Sequence, residues 1–505
     1  MHVGGLGIYD PSSVPGGVLR FKDVLKFFSG RLGNIKAFRS RLVNVPLSLD
    51  RPYWVEDGEL DLEYHVRHIA LPHPGDWRQL CIQVARLHSR PLDLKRPLWE
   101  IYVIEGLDNI AGVPKGAFAL YSKFHQSVID GQPGVALLSA IHSTQCETAE
   151  EPNIKPLVME RAPAALELYA RAIGNRARQA KDSSRVLIRM GSSAVKLGRA
   201  YLKDRAERTQ GRDLAVNLAD DELDLPSLVP SIAPVTRFDA AVSSHRVFEA
   251  KGYSLHDINR IRARFDGVTI NDIFMALSGG ALRKYLLAKN ELPATTLNAA
   301  VPMATIDESY RATEVGARNP LSGNIMPLFT TIADPVKRLE QVSRGARKGK
   351  ETASMVGKDF PHMMLQVLPL MASRSLLKRK LVPRFNVVVS NIRGPDETLY
   401  LAKAKMTQFF PISTVMDGAG LNLSAFSYNG TLWVGIISCR KMLSDPDFFG
   451  RCLNDSFNEL MAFAQNSTAQ TDGLLPVGNS RVQGPPAKVK RSAHRTRKNK
   501  SVSEE

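Results

Sequence analysis

Lys123-Phe124-His125-Gln126-Ser127-Val128-Ile129-Asp130-Gly131 follows directly on an apolar run, Ala117-Phe118-Ala119-Leu120-Tyr121. The run reads as the body of a buried strand, Ala117–Phe124. A Gly-Gln-Pro-Gly break at 131–134 ends the polar stretch, and Gly134–Ile141 then reads as the start of a helix behind it. An imidazole at the end of a strand, beside a carboxylate and a flexible glycine, is the arrangement of an acid/base station. Strand, polar turn and helix in that order also set the expected class, a mixed α/β or α+β protein.

Working outward, His2–Tyr9 and Leu98–Glu105 read as further strands, and Phe21–Phe28 and Trp77–Arg86 as amphipathic helices, the second with Asp76 as N-cap. Beyond a Pro-rich stretch holding Pro226, Pro230 and Pro234, a second set of elements begins near Arg237. Ser254–Phe265 reads as a helix, and Thr269-Ile270-Asn271-Asp272 caps the next, Ile273–Leu286, whose Gly279 and Gly280 signal close packing. Strands are expected at Thr296–Val301, Gly323–Ile332 and Phe385–Ser390, with helices at Asp334–Lys350 and Asp447–Ala464. Gly418 to Cys439 carries no charge over 22 residues, but Asn429-Gly430 at its centre marks a hairpin of Leu421–Tyr428 and Thr431–Ser438 rather than a membrane span. Two similar halves point to two lobes with a ligand site between them. The divisions are a first lobe at 1–160, a basic helical linker at 161–236, a second lobe at 237–465 and a disordered basic tail at 466–505.

The chain has 505 residues, 44% hydrophobic and 23% charged, an ordinary globular balance. Its net charge of +17 is concentrated rather than spread. Residues 171–212 hold 12 Lys/Arg against 3 acids, and residues 481–505 hold 8 against 2, so the remaining body is close to neutral. In the first of these segments Leu187, Met190, Ala194, Leu197 and Tyr201 form one apolar stripe among Arg and Lys. Such a stripe either packs on the body or lies on an anionic membrane. The charge-free run at 360–373 is a second candidate for lipid contact. The basic tail has no aromatic residue, which leaves base stacking and specific nucleic-acid binding without support. Cys81, Cys146, Cys439 and Cys452 show no metal-type spacing and fit reduced thiols. The first ten residues read as a strand, not as a signal peptide.

Several stretches in one order resemble the bacterial wax ester synthase/acyl-CoA:diacylglycerol acyltransferases. They are Met1-His2-Val3-Gly4-Gly5-Leu6, Tyr64-His65-Val66-Arg67-His68, Leu87-His88-Ser89-Arg90-Pro91-Leu92-Asp93 and Pro97-Leu98-Trp99-Glu100. Val268–Asp272, Gly323-Asn324, Ser390-Asn391 before Gly394-Pro395, and Ser427-Tyr428-Asn429-Gly430 continue the series to about Ala464. The resemblance implies the two-lobed fold of CoA-dependent acyltransferases, like that of chloramphenicol acetyltransferase, with a tunnel between the lobes. It implies no permanently bound cofactor, acyl-CoA as co-substrate, and diacylglycerol or a fatty alcohol as acceptor. It places the protein in the cytoplasm, peripheral on the inner membrane surface or on lipid inclusions, with an anionic membrane or lipid droplet as partner.

The family's His-His-x-x-x-Asp-Gly pattern falls on 125–131 with one change: Gln126 stands where the family has its catalytic His. An amide accepts hydrogen bonds but takes no proton near neutral pH. His125 therefore has two readings, a structural residue like the family's first His or the replacement base, and strand alternation points it away from its neighbour's face. Asp130 is expected to support the loop and Gly131 to permit the turn. Asn271, Asp272, Asn324, Ser390 and Asn391 are candidates for substrate binding, Asn271, Asn324, Ser390 and Asn391 as hydrogen-bond donors near the thioester oxygen. The alternative is that Asn271 caps its helix and the others satisfy loop backbone. No metal ligands are expected. Two further departures are Arg393, where the family usually has Pro, and a family motif with an Asp and a Phe that precedes the position of Met1. The second implies a first lobe short of one helix.

Overall fold

A computed structural model describes residues 2–32, 35–56, 60–129, 134–146, 163–164, 166–175, 233–304, 321–356 and 385–472. Met1–Ala464 forms one compact unit and Gln465–Glu505 a second. The sheets all belong to the first unit. The expectations for 176–212, 360–373 and the tail from 473, and those for Asp130 and Gly131, lie outside the described residues.

The first sheet contains β1 (His2–Asp10), β4 (Val66–Ala70), β5 (Trp99–Glu105) and β6 (Phe118–His125), with α1 (Phe21–Leu32) and α4 (Trp77–Ser89) packed against it. A short ribbon, β2 (Ser40–Val43) with β3 (Tyr53–Glu56), stands apart from it, and two single-turn helices, α2 (Lys36–Arg39) and α3 (Leu62–His65), flank it in the chain. Strand β6 sits inside the sheet, antiparallel to β1 on one side and β5 on the other. Both of its faces are covered, which is why its sequence is apolar without alternation. Helix α4 begins with a capping box between Asp76 and Gln79, in agreement with the expected N-cap.

The second sheet runs in the order β7 (Arg246–Ser254), β14 (Thr431–Cys439), β13 (Leu421–Tyr428), β10 (Val387–Arg393), β8 (Asn298–Ala304), β9 (Leu321–Pro327). The Asn429-Gly430 turn between β13 and β14 has φ of +48° and +73°, the left-handed pair of a two-residue hairpin. The helix Ile270–Ala288 is buried from Asp272 through Leu282, so its pattern is apolar on every side. Gly279 lies against the backbone of Leu328 and Gly280 against Ser456 and Arg338, where a Cβ has no room. Close packing accounts for both glycines.

One feature of the topology crosses the expected division. Strands β11 (Tyr400–Leu401) and β12 (Ala404–Ile412) come from the second half of the chain but complete the first sheet, in the order β11-β12-β1-β6-β5-β4. Strand β12 pairs along β1 from Gly4 to Asp10. Its other side lies on the second sheet, where the carbonyl of Pro411 fills the space over Gly435 and Phe410 meets Trp433 at 5.0 Å. From α4, the Trp77 indole donates to Glu249 on β7 at 2.7 Å. The strand at 404–412 thus joins the two sheets, and the faces that meet around it enclose the site.

Candidate active site

Strand β6 ends at His125, and Gln126 opens a single helical turn, α5 (Gln126–Ile129). The alternation expected between positions 125 and 126 therefore does not apply: the two residues belong to different elements. His125 Nδ1 accepts from the Ser127 hydroxyl at 2.7 Å and from the Ser127 amide at 3.3 Å. An amide N–H can only donate, so Nδ1 is the acceptor nitrogen and Nε2 carries the proton. Burial lowers the His125 pKa below the ordinary imidazole value, which keeps the ring neutral. Val128, buried against Leu92 and Leu98, anchors the turn.

Two more imidazoles sit beside it. His2 lies directly across from His125 in the β1–β6 pair, and the rings are 6.1 Å apart. His88, on the last turn of α4, has its ring 6.2 Å from that of His2. The His2 ring donates to the His88 carbonyl, and burial pulls His2 down to about 3. His88 donates to the Ser413 carbonyl and accepts from the Tyr121 hydroxyl at 2.8 Å; burial pulls it to about 3 as well. Neither ring is charged near neutral pH. Below them, Lys123 has no exposed side-chain surface and donates to Glu100 at 2.9 Å and to the carbonyls of Leu87 and Arg90 at 3.1 and 3.2 Å. That pair ties the end of α4 to the strand that presents His125.

On the opposite face of β6 lies a cavity of about 180 Å³. Ser122 and Phe124 of β6 form one wall, Leu138 of α6 (Gly134–Ala140) another, and Phe409 of β12, with Ser390 and Ser424 of the second sheet, the rest. It is a small, mostly apolar space with hydroxyls at a few points, the usual make-up of a small-molecule site. Ser390 and Ser424 are neighbours on the paired strands β10 and β13, with their oxygens 2.8 Å apart. Ser424 donates to Asn422 Oδ1 at 2.8 Å, and Asn422 Nδ2 donates to the Thr414 carbonyl at 3.1 Å.

Of the five substrate-binding candidates, this cavity gathers Ser390 alone. Asn391 is next to it on β10, opposite Ala425. Asn324 is on the edge strand β9, opposite Val301. The N-cap of the helix Ile270–Ala288 is Thr269, not Asn271, and Asp272 is committed to the capping box by accepting from the Thr269 amide at 2.9 Å. Asn271 Nδ2 rests on Met275 Sδ at 3.7 Å. Arg393 is exposed and paired with Asp396 at 2.7 Å.

Sequence reasoning missed His2, Ser127, Lys123, Asn422 and Ser424. A signal for the last two was present in β13. Leu421, Leu423 and Ala425 belong to the second-lobe core, so the intervening Asn422 and Ser424 share the opposite face. Two adjacent polar positions on one face of a strand with its other face in a core require a partner on that side. Lys123 and Ser127 each lie two residues from His125, but their roles depend on burial and on the turn that α5 makes; His2 is brought there by the β1–β6 pairing alone.

The model of the wax ester synthase/diacylglycerol acyltransferase catalytic domain matches residues 1–274, and that of the corresponding C-terminal domain matches residues 318–461. A putative diacylglycerol O-acyltransferase of Mycobacterium tuberculosis is 31% identical over 467 residues, which is 90% of this chain and 84% of that protein. The O-acyltransferase WSD of Acinetobacter baylyi is 32% identical over 450 residues, 88% of this chain and 89% of its own. Among solved structures, the wax ester synthase/diacylglycerol acyltransferase from Marinobacter aquaeolei VT8 superposes with a TM-score of 0.60 at 25% identity, covering 92% of this chain and 95% of that one. Among the described residues, no helix is long and apolar enough to cross a membrane.

Proposed function

The chain belongs to the wax ester synthase/diacylglycerol acyltransferase family, and on that premise we propose that it is an O-acyltransferase. It moves a fatty acyl group from acyl-CoA to the hydroxyl of diacylglycerol or of a long-chain alcohol, giving triacylglycerol or wax ester. The observation that carries the reading is the pairing of His125 Nδ1 with the Ser127 hydroxyl at 2.7 Å, at the end of the strand whose other face walls the apolar cavity. Gln126 supplies no base, so the proton must leave by another route. The acceptor's hydroxyl proton passes to Ser127 Oγ as the Ser127 proton moves to His125 Nδ1. The oxygen so freed bonds to the thioester carbonyl carbon, the C–S bond breaks, and the imidazolium returns the proton to the CoA sulfur. Orientation of the two substrates supplies much of the remaining rate.

The substrates collect in lipid, and the same reading puts the chain in the cytoplasm at the inner membrane surface or on lipid inclusions. The Lys/Arg excess at 171–212 supports this through attraction to anionic headgroups. A second reading, an acyl-CoA-binding relative without turnover, is favoured by one observation, Gln126 in place of the family's His. CoA release from palmitoyl-CoA with dioleoylglycerol or hexadecanol separates the two. Release above the His125→Ala background supports the enzyme; binding of palmitoyl-CoA without release supports the second reading.

A further inference from the structure

The hydroxyl pair in the cavity has a defined polarity. Asn422 Nδ2 donates to the Thr414 carbonyl, which turns Oδ1 of the amide toward Ser424. An amide oxygen only accepts, so the single proton of Ser424 goes to Asn422. The 2.8 Å contact between Ser390 and Ser424 must then be Ser390 donating to Ser424. Ser390 has spent its proton, and what it offers to the cavity is lone pairs. Ser122, across the cavity, is in the same position: its hydroxyl donates to the Gly5 carbonyl at 3.3 Å. Ser413, also on the wall, is held through its carbonyl by His88. No bond to its own hydroxyl is found among the described residues, so that group can act in either sense.

We infer that this cavity takes the hydroxyl-bearing substrate, with Ser390 as the hydrogen-bond acceptor that holds its O–H. A thioester carbonyl has no proton to give, and Ser390 has none left for it. The inference reverses the expectation that Ser390 donates to the acyl group. It makes Asn422 and Ser424 positioning residues, because they set which way Ser390 points its proton. It rests on the acyltransferase reading and deepens it by giving the alcohol a holding position: neither His125 nor Ser127 lines this cavity, so the O–H must leave Ser390 for the Ser127 hydroxyl before its proton is transferred.

The test uses the full chain without acyl-CoA, so that it reads binding and not turnover. Equilibrium dialysis compares decanol with decyl methyl ether, which can accept a hydrogen bond but not donate one. Wild type is expected to bind the alcohol about 5-fold more tightly, the worth of one neutral hydrogen bond. Ser390→Ala loses that preference. Ser424→Ala loses it too, because the freed Ser390 proton can now serve the ether. Ser413→Ala keeps it. Equal or tighter binding of the ether by wild type, failure to bind decanol, or a preference that follows Ser413 instead of Ser390 would overturn the assignment. Because the wild-type comparison needs no variant, a poorly folded mutant does not blunt the test. A chain that discriminates in this way yet releases no CoA refutes the enzyme reading and leaves the acceptor polarity standing.

Discussion

Lys123 Nζ lies 2.9 Å from Glu100 Oε2, with the lysine side chain fully buried and the glutamate nearly so. The pair crosses from β6 to β5 just below the histidines, and Tyr102 donates to the same carboxylate at 3.0 Å. Removing the lysine leaves the buried carboxylate with only the Tyr102 hydroxyl and the more distant, partly exposed Arg67 at 4.0 Å. Lys123→Met is expected to cost about 3–5 kcal/mol in denaturant unfolding, and Lys123→Met with Glu100→Leu to recover most of it. Equal losses for the single and double variants would show that the ion pair is not what the lysine supplies.

Gly435 bears on the junction of the two sheets. A methyl group there meets the Pro411 carbonyl, with backbone on both sides. Gly435→Ala must push β12 away from β14 and should lower stability by about 1–3 kcal/mol. Gly430→Ala, at an exposed turn where φ is +73°, strains the backbone without disturbing that junction. The junction account predicts that only Gly435→Ala changes the affinity for decanol.

Three imidazoles are held neutral by burial: His2 and His88 at about 3, and His142 at about 4. His142 is fixed by the Leu138 carbonyl at 2.7 Å and the Tyr9 hydroxyl at 2.6 Å. On unfolding each regains an ordinary value near 6.5. The unfolded chain therefore binds more protons below pH 6.5, and stability falls as pH drops from 6.5 toward 4 and then 3. Each group adds a slope of up to about 1.4 kcal/mol per pH unit. His142→Phe should shallow that slope between pH 6.5 and 4. An unchanged slope would mean that the ring takes up a proton in the folded state.

Much of the fold was legible because its signals are local. The strand ending at His125, the Asp76 cap and the Asn429-Gly430 hairpin each follow from residues close in sequence. Strand β12 was not legible: 404–412 mixes Lys405 and Gln408 with aromatics, and its partner β1 lies some 400 positions away. The site divides in the same manner. Ser390 and His125 could be named from the sequence, since the family's motifs fall on them. The polarity that Asn422 imposes on Ser424 and Ser390 depends on which strands are paired, and no spacing in the sequence announces that pairing. Placing the cap on Asn271 failed because Thr269, two residues earlier, has the β-branched hydroxyl side chain that can close a box with Asp272.

Ser127 should matter almost as much as His125 if the proton leaves through it. Ser127→Ala is expected to lower kcat by about 10²-fold with little change in the KM for acyl-CoA. Because burial keeps His125 below 6.5, kcat/KM in wild type should stay level as pH falls to 6.5 and decline only beneath it. A decline that begins above pH 7 would assign the base to another group.

The claim on which all this turns is that His125 takes the acceptor's proton in a chain that lacks the family's usual base. Its most direct measurement is ester formation, read as hexadecyl palmitate made from labelled palmitoyl-CoA and hexadecanol by wild type, His125→Ala and Gln126→His side by side. Product from wild type, at least about 10²-fold less from His125→Ala and more from Gln126→His is the predicted result. Equal yields from wild type and His125→Ala would contradict it.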